Sequence, residues 1–145
     1  MAERLQILGP CAWWTERVRS ARYTAEGRDP VSVAVVFGPE VDDEEALDRW
    51  RERGSRWIGR PVDRVLTLLA IERIGRRTAW VYEDYDGVSM GATIATAITP
   101  LPLRVAAQIV AQCAEILEPL TAAGLIHPGL DLDDVLLRAD GSVRL

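Results

Sequence analysis

The 145-residue chain contains no lysine and no asparagine, so all 17 of its basic side chains are arginine. Chemistry that needs a side-chain primary amine is therefore excluded, whether a Schiff base or a lysine anchor for phosphate. An asparagine metal ligand is excluded too. Cys11 and Cys113 are the only thiols, too few and too far apart for a disulfide framework or a zinc knuckle, so both are read as reduced. There is no basic excess. A formal charge of −5 and a pI near 4.9 argue against a broad grip on nucleic acid phosphates. There is no long hydrophobic run either. The most apolar stretch, 101–126, is interrupted by Arg104, Gln108, Gln112, Glu115 and Glu118, which excludes a membrane span. Glu3, Arg4 and Gln6 break up any secretory leader, and the expected location is cytoplasmic.

What is present is an ordinary globular composition, 48% hydrophobic and 27% charged, with length for one domain of usual size. Arg17 to Tyr23 and Val31 to Phe37 read as strands joined by the breaker-rich turn 25–30. The second is β-branched and nearly all apolar, which predicts a buried central strand. Acidic residues at 42–45 suit the start of a helix over about 43–53, ended by Gly54. Strands follow at 65–71 and 78–83 around a turn at 72–77. After Ser89 the period changes. Thr99 to Pro102 signals a helix start, and Val105, Ala106, Ile109, Val110, Cys113, Ile116, Leu117 and Leu120 form a wide apolar stripe before Gly124. Short strands at 135–137 and 142–145 flank the turn Ala139-Asp140-Gly141. The order of elements predicts an α+β fold with two sub-regions. The arginines at 49–64 and Arg76-Arg77 are read as solvated faces.

Four segments, taken in order, resemble a bacterial Ser/Thr protein kinase domain. Trp80-Val81-Tyr82-Glu83-Asp84-Tyr85-Asp86-Gly87 resembles the hinge. Pro100 to Ala106 resembles the start of the long helix. Leu125 to Leu137, containing His127, resembles the catalytic loop, and Ala139 to Leu145 the strand before the metal-binding DFG motif. The resemblance implies an antiparallel sheet plus one helix over 1–88 as a small lobe. The first part of a helical large lobe follows over 89–145. It also implies an adenine-sized slot lined by Val18, Ala34 and the hinge backbone at Glu83 and Tyr85, either open or filled by Trp14, Val36 and Tyr82.

The departures bear on function. Gly9 stands where the family's glycine-rich loop begins, but Cys11 and Trp14 fall near later glycine positions. The adjacent indoles Trp13 and Trp14 cannot approach a phosphate as a glycine backbone does; they are read as plugging a cleft or packing on a partner. Val36 occupies the place of the phosphate-anchoring lysine. Glu45, Asp48 and Glu52 compete for that of its partner glutamate, with Arg49 also close by, and solvation accounts for all three carboxylates. Gly129 replaces the catalytic aspartate, Asp131 the lysine after it, and Asp134 the metal-binding asparagine. Asp134 is the weak candidate for a metal ligand. His127 is read as a packed structural histidine, hydrogen-bonded to the loop backbone. Three readings remain: an inactive kinase-like module without a cofactor that binds protein, or itself, through the long-helix face; an ATP/ADP sensor or unorthodox kinase-like enzyme using arginine; and an α+β domain whose similarity is incidental.

Overall fold

The computed structural model describes residues 4–10, 18–85, 87–127 and 129–145. Cys11, Trp13, Trp14, Arg17, Asp86 and Pro128, which carry parts of the expectations above, lie outside the described residues. The described chain is mixed α+β, with three helices and a five-stranded antiparallel sheet, and divides into two units.

The first unit holds that sheet and one helix. Its strands are β1 Leu5–Pro10, β2 Val18–Tyr23, β3 Val31–Glu40, β4 Leu68–Ile74 and β5 Arg77–Glu83, in the order β1-β2-β3-β5-β4. β3 is central, as its composition predicts, and Val33, Ala34 and Val35 are buried. It runs past Phe37 because, beyond a register shift, Glu40 still pairs with Arg77. β1 was not anticipated. Gln6 and the breaker pair Gly9-Pro10 interrupt the short apolar run and conceal an edge strand that pairs along β2 from Leu5 with Tyr23 to Pro10 with Arg19.

The hairpin differs from expectation by three residues on its first arm. Glu72, Arg73 and Ile74 are strand rather than turn, which leaves only Gly75-Arg76 between the arms. Two contacts hold them in the strand: Ile74 packs on the core made by Ala21, Val33, Val35, Ala79 and Val81, and Glu72 pairs with Arg51 in the helical segment Glu44–Gly54. Val65 and Leu66 leave the strand instead, and the Leu66 amide donates to the Leu145 carbonyl at 2.6 Å.

α1, Glu44–Gly54, starts where Asp43 caps it, the carboxylate accepting from the Ala46 amide at 2.7 Å. Leu47 carries the helix onto the sheet against Leu68 and Ile71, with Trp50, Trp57, Trp80 and Tyr82 around them. The Trp50 and Trp80 rings meet edge to face, 5.8 Å apart. Arg51 completes the attachment. Its Nε donates to the Ile71 carbonyl at 3.1 Å, and its guanidinium pairs with Glu44, Asp48 and Glu72.

The second unit contains α2 Met90–Thr96, α3 Leu103–Ala122 and a small sheet of β6 Val88–Ser89, β7 Leu136–Leu137 and β8 Val143–Arg144. Ser89 caps α2 with its hydroxyl, which accepts from the Ala92 amide at 3.0 Å. The apolar stripe expected on α3 is buried only in part. Ile116 and Leu120 are fully buried, whereas Val110 is 68% exposed. Gln112 clasps the hairpin below: its amide nitrogen donates to the Gly141 carbonyl at 3.1 Å, and its oxygen accepts from the Val143 amide at 3.0 Å. Arg64 adopts φ 57°, its carbonyl accepts from the Leu145 amide at 3.0 Å, and its guanidinium pairs with Glu115 at 3.2 Å.

Gly38 tests the packing under α1. A Cβ there would collide with Thr78 Oγ1 and lie 2.6 Å from Trp80 Nε1. Trp80 donates to that hydroxyl at 3.3 Å, and Thr78 donates in turn to the Pro39 carbonyl at 3.2 Å. Gly38→Ala is expected to lose about 1–3 kcal/mol from this overpacking, read as a lower urea midpoint at unchanged slope.

Candidate functional site

Pleat alternation puts the slot candidates of the first unit on one face of the sheet. Val18 pairs with Val36, and Val36 with Trp80; one row along, Ser20 pairs with Ala34, and Ala34 with Tyr82. Val18 and Ala34 are buried at 2% exposure, while Val36 and Tyr82 are half-buried. The row that contains Val36, the position the resemblance assigns to a lysine, is thus valine, valine and tryptophan. An ammonium placed there would need a carboxylate close by to offset its lost hydration. The acids of α1 do not turn that way. Glu45, Asp48 and Glu52 are exposed, Glu45 holds Arg49 at 2.9 Å, and Asp48 holds Arg51 at 3.1 Å.

At the hinge-like segment the polar groups are already engaged. The Glu83 carboxylate accepts from the Thr67 amide at 3.0 Å, and the Glu83 amide donates back to the Thr67 carbonyl at 3.0 Å. The Tyr85 amide, which the resemblance implies for base recognition, donates to the Asp84 carboxylate at 3.0 Å. Gly9 lies beside the bulge in β1, opposite Ser20, with nothing within 4 Å of where a Cβ would point.

In the second unit, the loop that resembles a catalytic loop is folded by its own carboxylates. Asp131 accepts from the Asp133 amide at 2.8 Å, and Asp134 accepts from the Asp131 amide at 2.9 Å. The start of α2 lies along the same loop: the Met90 amide donates to the Val135 carbonyl at 2.7 Å and the Gly91 amide to the Leu132 carbonyl at 3.0 Å. Gly91 is required by this approach, because a Cβ would run into the Asp133 carboxylate. Gly129 is exposed and contributes no side chain.

His127 is half-buried, and its Nδ1 is buried without a hydrogen-bond partner among the described residues. The bond to the loop backbone implied by the resemblance is therefore not made through Nδ1. Among the described residues no three His, Cys, Asp or Glu side chains come together as a metal site. Burial, first, and the nearby charges of Asp131 and Asp133 push the Asp134 carboxyl above the usual aspartate value. The Asp131 amide and His127 work against that rise.

The concavity lined by Ile94, Ile98, Thr99, Leu101 and Pro102, about 510 Å³, lies between α2 and the start of α3 and was not anticipated. Its signal in the sequence is the largely apolar run Ile94 to Leu103, of which only Thr99 to Pro102 reads as a helix start. Among the described residues no helix is long and apolar enough to cross a membrane. Comparison of the chain with protein-family models and with curated proteins finds no match to either.

The raised Asp134 pKa gives a signed pH dependence. The folded state favours the protonated acid more than the unfolded chain does. This contribution to stability is thus complete below the usual aspartate range and is lost as pH rises through the raised folded value. Asp134→Asn keeps an acceptor for the Asp131 amide but has no charge to bury. The variant's stability advantage over the parent is expected to widen from pH ~3 to ~7, followed by urea titrations at each pH.

Proposed function

We propose that the chain is a catalytically inactive protein-kinase-like module that works by binding protein, with a cytoplasmic location. The observation that carries this reading is Val36. It lies in an apolar row between Val18 and Trp80, where the kinase resemblance implies the cation that grips a triphosphate. No lysine elsewhere in the chain can take its place. Gly129 adds to this, since it offers no base to accept a hydroxyl proton. Asp131 and Asp134 are spent on loop amides.

The overall order of elements supports the kinase-like scaffold: an antiparallel sheet with one helix, then a long helix, a loop and a small hairpin. The long-helix face supports the binding role, since Leu103 at 85% and Val110 at 68% exposure leave apolar surface in water. A bound nucleotide is not needed by this reading, and the engaged Tyr85 amide is consistent with its absence.

Incubation of the purified chain with radiolabelled ATP and Mg²⁺, alone and with a generic basic protein substrate, is expected to give no labelled product. Transfer that disappears in Asp134→Ala would overturn the reading. In a thermal shift assay, ATP, ADP and Mg²⁺ are expected to leave the midpoint where it is; a rise of several degrees would favour the nucleotide-sensor alternative.

A further inference from the structure

Leu103, Ala107, Val110, Ala114, Leu117 and Thr121 recur along α3 at alternating steps of four and three, the spacing of a coiled-coil seam. This flank is not the one that carries Ile116 and Leu120 into the second unit. Ala107, Ala114 and Thr121 are exposed along with Leu103 and Val110, and Leu117 is half-buried. Arg104 and Glu118 each directly follow a large seam residue, are exposed, and make no ion pair among the described residues.

We propose that this seam pairs with the same seam on a second copy of the chain, the two α3 helices running antiparallel about a twofold axis. The inference rests on the reading of the long-helix face as a binding surface and names its occupant. Side-chain size selects the direction. Antiparallel pairing sets Ala107 against Leu117 of the partner subunit, Val110 against Ala114 of the partner subunit, and Leu103 against Thr121 of the partner subunit. Every layer then joins a larger and a smaller side chain and fills evenly. Parallel pairing would stack Leu103 on Leu103 of the partner subunit and Ala107 on Ala107 of the partner subunit, alternating crowded layers with voids.

Charge selects the same direction independently. In the antiparallel pair Arg104 faces Glu118 of the partner subunit at both ends of the seam, whereas a parallel pair puts the two on flanks that do not meet and leaves both charges without this partner. Such self-complementarity is the requirement of a twofold interface, in which one patch meets itself. Pro119 lies two residues beyond Leu117, on the side turned away from the seam, so its ring does not obstruct the pairing. A helix of 20 residues spans about 30 Å. One helix pair buries less than the ~1,200 Å² of a standard stable interface, so dissociation is expected in roughly the micromolar range.

Sedimentation equilibrium of the 145-residue chain across about 1 to 100 μM is expected to show a monomer–dimer equilibrium. Val110→Glu is expected to weaken it at least about tenfold, because each copy would bury an unpaired carboxylate. Arg104→Glu and Glu118→Arg are each expected to weaken the dimer at low salt, and the double variant to restore it. Both positions are exposed, so these substitutions leave the fold intact, which circular dichroism checks. A monomer at every concentration, a dimer indifferent to Val110→Glu, or a charge-swapped double variant no tighter than the singles would overturn the proposal. A monomer that transfers no phosphate would sink the pairing alone; a dimer that labels a substrate would sink the inactive reading alone.

Discussion

The contact of the Trp80 indole with the underside of α1 is the constraint on which the first unit depends. Its ring meets Trp50 edge to face, its nitrogen reaches Thr78, and its bulk leaves room for nothing but hydrogen at Gly38. It also pairs across the sheet with Val36. One large apolar side chain thus fixes the helix, shapes the end of β3, and makes the middle of the sheet face a poor place for a charge. The cationic work near α1 passes to Arg51 at the β4 edge, where a carbonyl and three carboxylates share its guanidinium. Tyr23 reaches the same Glu72 at 3.5 Å, and burial followed by that carboxylate raises its phenol pKa.

The two candidate regions follow one logic in different materials. On the sheet, valines and tryptophan form an apolar row. In the loop, carboxylates are present but point at backbone amides. Each arrangement stabilises the protein locally, and under the proposed reading it also leaves no group free for phosphoryl transfer. The half-buried Asp134 illustrates the trade: its oxygen secures the Asp131 amide, while burial raises the energy of its charged form.

Much of this architecture is legible in the sequence where one signal dominates. The apolar run of β3, the acidic opening of α1 and the proline-marked start of α3 all predict their elements within a few residues. Local reading fails where polar residues alternate in a strand. Glu72 and Arg73 look like turn residues until Arg51 supplies the partner that makes an inward-reaching glutamate tolerable. β1 is hidden because Gln6 and the Gly9-Pro10 breakers interrupt a short apolar run, and α2 because its seven residues are too few for a period to stand out. At the candidate site the absence of lysine and the glycine at 129 are plain from residue identity. The engagement of Glu83, Asp131 and Asp134 with amides is not, because it depends on loop geometry that no spacing encodes. The partial burial of the α3 stripe is likewise a matter of what packs on it, since an apolar helix face reads the same in sequence whether covered or bare.

The carboxamide of Gln112 offers the β7–β8 hairpin one donor and one acceptor, the pair that a neighbouring peptide group would present. A side chain thereby serves as a one-residue surrogate strand. Two short strands with little surface of their own, flanked on one side by β6, gain their outer bonds from a helix, so the hairpin is steadied when that helix is in place. Its amide protection is then tied to the helix's residence on the unit, and both should open to solvent in a single cooperative event.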